Sequence, residues 1–356
     1  MKTYLITGGA GFIGANFIIY MLNRYENIMI INLDKLTYAG NLDNLKEVDN
    51  KYNYTFIQGD ICDSKLLQGL FKKYDIDYVV NFAAESHVDR SIKEPEVFVN
   101  TNVLGTITLI NEAKKVWEEK TGFREGKKYI QISTDEVYGS LGQYGYFTET
   151  TPLNPRSPYS SSKASADLIV KSYFYTYKMP INITRCSNNY GPFQFPEKLV
   201  PLLVTNCINH KKLPIYGDGL NIRDWLYVED HCKAIDMVIN KGKLGEIYNI
   251  GGHNERTNIE IAKTVINYLS KSLNESIGED LIEYVGDRKG HDRRYGIDPA
   301  KIKNELGWYP ETTFDIGIEK TIQWYLNNKG WINNVISGQY QKYFKDMYEN
   351  RVKTDI

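Results

Sequence analysis

Three glycines spaced three apart constrain this chain more than any other feature. Lys2 to Thr7 is a short apolar run of strand type, and Gly8-Gly9-Ala10-Gly11-Phe12-Ile13-Gly14 follows it. Phe17, Ile18, Met21 and Leu22 then recur with helical period up to about Tyr25. A plain strand-to-helix turn does not need Gly8, Gly11 and Gly14 together. Glycines permit a tight turn and close backbone approach, and a helix start offers unpaired N–H groups to a pyrophosphate. The pattern points to a dinucleotide site, although its spacing departs from the common G-x-G-x-x-G.

The following segments extend the reading. A second apolar run, Asn27 to Leu33, ends in Asp34. An acidic side chain there accepts hydrogen bonds from ribose hydroxyls and repels a 2′-phosphate, which favours NAD over NADP. Lys35 is a neighbouring cation able to soften that repulsion. Further strands are expected from Tyr54 to Gly59, Tyr78 to Phe82, Tyr129 to Ser133 and Asn182 to Cys186, with helices between them and one long helix from Pro95 to about Trp117. This alternation predicts an α/β fold, a doubly wound parallel Rossmann sheet of order 3-2-1-4-5-6. A smaller mixed α/β domain follows. The expected division gives residues 1–186 to the dinucleotide domain, with 224–250 returning to it. Residues 187–223 and 251–356 form the substrate domain, with amphipathic helices from Phe314 to Asn328 and on to Tyr348.

The fifth strand runs into Ser133-Thr134-Asp135-Glu136-Val137-Tyr138-Gly139. A hydroxyl and two carboxyls therefore stand at the carboxyl edge of the sheet, where ligands bind in such folds. Taken alone, these residues read as a turn. The later Tyr159 and Lys163 lie four apart on one helix face, where an ammonium beside a phenol favours the phenolate. Behind a glycine-motif fold, that pair supplies a base for a hydroxyl whose hydride is leaving. Asp287-Arg288-Lys289-Gly290-His291-Asp292-Arg293-Arg294 is the dense basic cluster. Together with Arg223, Arg288 and His291 suit a diphosphate; Arg293 and Arg294 carry no assignment.

Composition narrows the partners. Among 356 residues, 43 Lys and Arg face 44 Asp and Glu, which gives no general attraction to nucleic acid or anionic membrane. Cys62, Cys186, Cys207 and Cys232 lie scattered, without metal-ligand spacing, in keeping with a reducing cytoplasm. No apolar run is long enough to span a bilayer.

At this point the chain resembles the extended short-chain dehydrogenase/reductases that act on nucleotide sugars. Four stretches narrow the resemblance to the dTDP-glucose 4,6-dehydratases: Asp34-Lys35-Leu36-Thr37-Tyr38-Ala39-Gly40, the Ser133–Gly139 stretch, Arg185-Cys186-Ser187-Asn188-Asn189-Tyr190-Gly191-Pro192 and Gly290-His291-Asp292-Arg293-Arg294-Tyr295. The resemblance implies that Tyr159, with Lys163, deprotonates the sugar 4-hydroxyl while hydride passes from C4 to NAD. Thr134 holds the sugar, Glu136 takes the C5 proton, Asp135 protonates the leaving 6-hydroxyl, and the hydride returns to C6. It also implies an NAD site of Gly8, Gly11, Phe12, Ile13, Gly14, Asp34, Lys35, Leu36, Thr37, Asp60, Ile61, Phe82, Ala83, Ala84, Ser86, Thr101 and Asn189, beside Tyr159 and Lys163. The nucleotide-sugar site would then comprise Ser86, Thr134, Asn188, Lys198, Leu199, Pro214, Ile215, Tyr216, Arg223, Asn258, Arg288 and His291, with no metal. Relatives of this kind pair as homodimers through a four-helix bundle that includes the Tyr159 helix. A 4,6-dehydratase or 4-epimerase of a UDP-, CDP- or GDP-linked sugar is the alternative. A non-catalytic dinucleotide sensor would be expected to lack Tyr159 or Lys163.

Overall fold

The computed structural model describes residues 1–336; of the helix expected out to Tyr348 it shows Lys329–Ile336, and the remainder lies outside the described residues. Seven strands form one parallel sheet: β1 (Lys2–Thr7), β2 (Ile28–Asp34), β3 (Tyr54–Gln58), β4 (Tyr78–Asn81), β5 (Lys128–Thr134), β6 (Ile181–Cys186) and β7 (Ile247–Ile250). Their spatial order is β7-β6-β5-β4-β1-β2-β3, the expected order with one strand added at the edge. Every residue of β5 is buried, as a central strand covered on both faces requires. Even its polar side chains are used inside: Asn81 on β4 accepts from Thr7 at 2.6 Å and donates to Gln131 at 3.0 Å, tying three neighbouring strands together.

Helices cover both faces. The helix Phe12–Arg24 presses Phe17, Ile18, Met21 and Leu22 onto the sheet, and Ile235 and Ile239 of the helix Val228–Lys241 pack in the same cluster. The chain thus comes back to the sheet after Tyr227 and adds β7 beside β6 in parallel register. The helix expected from Pro95 to Trp117 is interrupted. A wide π-type turn covers Val99–Gly105 between the helices Pro95–Phe98 and Thr106–Trp117. Two contacts account for it. Gly105 lies so near Ile61 that a Cβ would stand 2.6 Å from its Cδ1, and the Asn102 amide is held by the loop after β4.

A second core lies beyond the sheet's carboxyl edge. Strand Ile222–Tyr227 runs between Asn188–Tyr190 and Glu255–Thr257, and Leu213–Tyr216 pairs with Ile282–Val285. Helices Leu199–Ile208, Asn258–Leu273 and Phe314–Asn327 pack around Tyr190, Trp225, Phe314 and Tyr325. The crevice between the two cores opens over the ends of β1, β2, β4, β5 and β6. Among the described residues, no helix is long and apolar enough to cross a membrane.

Candidate active site

The glycine turn is built for close approach. Gly8 takes a φ of +70°, and a Cβ there would stand 2.6 Å from the Ala83 nitrogen. A Cβ on Gly14 would overlap the Gly8 carbonyl. Gly11 caps the helix Phe12–Arg24 without any side-chain bond to the first-turn N–H groups, which leaves them for a ligand. Asp34 ends β2 with both oxygens occupied, accepting from Ala10 N at 2.9 Å and Leu36 N at 2.8 Å. Burial raises its pKa and those two bonds pull it back. Lys35 turns away to Asp60 at 2.7 Å, so its cation is taken up there and does not answer Asp34.

Along these loops runs a cavity of about 310 Å³. Every residue expected at the cofactor lines it except Leu36, whose contribution is its backbone bond to Asp34. A second cavity of about 170 Å³ adjoins it and is lined by every residue expected at the nucleotide sugar except Thr134, which lines the first. The two cavities share Ser86, Glu136, Asn188, Glu197 and Lys198. Asn102 braces their junction: it accepts from Glu85 N at 2.8 Å and donates to Glu85 O and to Ser162 Oγ.

The reactive groups meet at the end of β5. Ser157 caps the helix Pro158–Tyr177 through a reciprocal bond with Ser160, with Pro158 in its first turn, and so fixes where Tyr159 and Lys163 point. Both are buried. The Lys163 ammonium donates to Ile132 O at 2.7 Å. The expected lowering of the Tyr159 pKa is not found. Burial and then the Glu136 charge push the phenol well above its ordinary value, against a side-chain hydrogen bond with Thr134.

Thr134 caps the short helical turn Asp135–Tyr138, and that turn sends the two carboxyls different ways. Glu136 faces both cavities. Asp135, 1 % exposed, lines neither and stands behind the wall, with its Oδ1 3.3 Å from Thr134 Oγ1. Burial raises both pKa values. Arg288, Arg223 and Lys198 oppose the rise at Glu136, whereas Glu136 and Asp224 add to it at Asp135, which is raised well above the usual carboxyl range. One carboxyl is thus held protonated beside one that ionises more readily.

The second cavity brings the cations Lys198, Arg223 and Arg288 beside the carboxyls of Asp89, Glu136 and Glu197. Arg223 lies 4.3 Å over the Tyr295 ring and donates to Asp292 O, and Arg288 keeps a buried Nε with no bond inside the protein. His291 Nδ1 donates to Asp287 Oδ1 over 2.6 Å, and burial with the two arginines pushes its pKa down to about 4. Arg293 and Arg294 are used elsewhere, pairing with Asp218 and Glu255. Sequence reasoning missed Glu197, which is buried between the cavities and bonded by Tyr38 OH at 3.0 Å. Its one signal was its place beside Lys198. His87, Asp89 and Trp225 also line the second cavity and carried no motif, as does Tyr295, which closes the Gly290–Tyr295 stretch without an expected role.

Residues 5–321 match the family model described as GDP-mannose 4,6 dehydratase. The dTDP-glucose 4,6-dehydratase of Xanthomonas campestris pv. campestris (strain B100) is 48% identical over 345 residues, 96% of this chain and 98% of that one. This chain belongs to the dTDP-glucose 4,6-dehydratase family. Two solved members have the same fold. The enzyme of Bacillus anthracis, in complex with NAD, is 52% identical, with a TM-score of 0.85 over 94% of this chain and 100% of that one. That of Streptomyces venezuelae, also with NAD bound, is 44% identical, with a TM-score of 0.87 over the same shares. The glycine cradle, which any Cβ would fill, and the doubly bonded Asp34 fit NAD in this dehydratase-family chain as well.

Proposed function

We propose that the protein converts dTDP-glucose to dTDP-4-keto-6-deoxyglucose and water. The observation that carries this reading is the carboxyl pair at the end of β5, with Glu136 at the junction of the two cavities and Asp135 behind it. Residues 1–186 with 228–250 carry most of the NAD site, which Asn189 completes, and residues 187–227 with 251–336 carry most of the nucleotide-sugar site. Gly8, Gly14 and the first turn after Gly11 take the pyrophosphate, and Asp34 takes the adenosine ribose. NAD, when bound, accepts the hydride from sugar C4, returns it to C6 and brings a positive charge that favours the Tyr159 phenolate.

The protein's own groups move the protons. Tyr159 takes the 4-hydroxyl proton, and Thr134 orients that hydroxyl through its bond to the phenol. A ketone at C4 acidifies C5–H, and Glu136, kept ionisable by Arg223, Arg288 and Lys198, accepts that proton. Asp135 supplies a proton to the departing 6-hydroxyl. Because it stands behind the wall, it acts through Thr134: the hydroxyl turns, Asp135 gives its proton to Thr134 Oγ1, 3.3 Å away, and the Thr134 hydroxyl proton passes to the leaving oxygen. Arg223, Arg288 and the neutral His291 take the diphosphate.

A homodimer completes the proposal. Leu168 and Tyr175, 62% and 63% exposed, lie seven apart on one face of the Tyr159 helix, and Leu104, 50% exposed, stands on the neighbouring helix pair. Four free cysteines, three of them buried, suit a reducing cytoplasm. Incubating the protein with dTDP-glucose, UDP-glucose and GDP-mannose in parallel tests the function. A 4-keto-6-deoxy product from dTDP-glucose is expected. An epimerised hexose with no loss of water overturns it.

A further inference from the structure

His231 is fully buried in the first turns of the helix Val228–Lys241, far from any reacting atom, yet it ends on the cofactor cavity. Its Nδ1 lies 2.9 Å from Asn189 Oδ1, and Asn189 lines that cavity. Asn189 is held at two further points. Its Nδ2 donates to Ser187 O at 3.0 Å, and its backbone carbonyl accepts from Gln194 Nε2 at 2.8 Å. These partners determine the chemistry. A carbonyl such as Ser187 O can only accept, so the amide nitrogen must face it. Oδ1 then faces His231 and can only accept, so Nδ1 must carry the proton. The other ring nitrogen, Nε2, is left buried without a partner. Burial keeps the ring neutral, its pKa pushed down to about 3, so this tautomer persists at any working pH.

We propose that His231 is a positioning residue for the cofactor, holding the carbonyl end of the Asn189 amide, a group on the wall of the NAD cavity, while Ser187 O holds the other end. Without that donor Oδ1 is left buried without its partner, and the amide is anchored at one end only. The inference rests on reading the first cavity as the NAD site, and it adds a residue outside the cavity wall to that site.

Isosteres separate this role from simple packing. In His231→Asn the amide nitrogen falls where Nδ1 stands, and in His231→Gln it falls at the Nε2 position, away from Asn189. His231→Leu removes both. Each protein is loaded with NAD and passed through a desalting column; retained NAD and its release rate are then measured, with melting temperature as a check on folding. The parent and His231→Asn are expected to release NAD at rates within about threefold of each other. His231→Gln and His231→Leu are expected to release it about tenfold to a hundredfold faster, the scale of one buried hydrogen bond lost with an acceptor left unpaired. Asn189→Asp removes the N–H that donates to Ser187 O and sets a second oxygen against it, and is expected to match them. Combining it with His231→Gln is expected to add little, because both changes act on one group. Unchanged release from His231→Gln, equal loss in His231→Asn, or fully additive effects each overturn the proposal. Should His231→Leu not fold, the Asn and Gln pair decides. A parent protein that takes up no NAD overturns the cofactor reading itself, a different result from NAD-binding variants that behave alike.

Discussion

Glu197 offers a quantitative test of how the site is held. It is 4% exposed, accepts from Tyr38 OH through Oε1 and leaves Oε2 without a hydrogen bond. The Lys198 ammonium stands off at 3.8 Å, and the His87 ring, which accepts from Arg90 N, at 3.9 Å. Burial therefore wins, and the carboxyl is pushed from 4.5 up to about 7. Between those values the folded protein holds a proton that the unfolded chain has released. This stabilising contribution is fully present below pH 4.5 and is lost as pH rises through 7. At pH 8 the ionised buried carboxyl costs about 3 kcal/mol. Glu197→Gln removes that cost while still accepting from Tyr38. Over 356 residues the unfolding entropy converts the gain to a rise of about 4 °C in Tm. Thermal melts of both proteins at saturating NAD across the pH range check it. The variant should melt higher above neutrality and converge with the parent toward the acid end. Parallel curves, or a gap that opens on acidification, refute the reasoning.

Three other outcomes follow from single contacts. Gly14→Ala drives a methyl into the Gly8 carbonyl and should weaken NAD binding by about 1–3 kcal/mol in a calorimetric titration while the fold survives. Lys128→Met strips the ammonium that donates to the Val238, Ile239 and Gly242 carbonyls at the end of the helix Val228–Lys241. It should cost about 1–3 kcal/mol in urea denaturation, with turnover of the folded protein unchanged. Leu168→Glu places a charge on the exposed face of the Tyr159 helix and should shift the protein toward monomer in light scattering.

The sheet was legible because its strands are nearly unbroken apolar runs punctuated by glycine, so order and ends followed from pattern and crossover handedness. Asp34 and the Tyr159–Lys163 pair were legible because each sits at a fixed offset from an element boundary. What escaped depends on packing across distance. Whether Asp135 or Glu136 faces the cavity is decided by one short helical turn, and alternation along a strand does not reach that far. Lys163 finds a backbone carbonyl 31 residues earlier, which no side-chain pattern encodes. The wide turn at Val99–Gly105 arises from the approach of Gly105 to Ile61 and from Asn102 gripping another loop. Glu197 is raised by burial and bonded by a tyrosine 159 positions away.

The account's central claim is that oxidation at C4 and loss of water are run by different side chains, with Glu136 confined to the second step. Mixing Glu136→Gln with dTDP-glucose and following the absorbance of reduced nicotinamide tests it most directly. The reduced cofactor should rise toward a full equivalent per site and persist, with the sugar's C5 hydrogen unexchanged and little 4-keto-6-deoxy product. In the parent the same signal should be transient. A variant that never reduces its cofactor, or that forms product as fast as the parent, contradicts the division of labour.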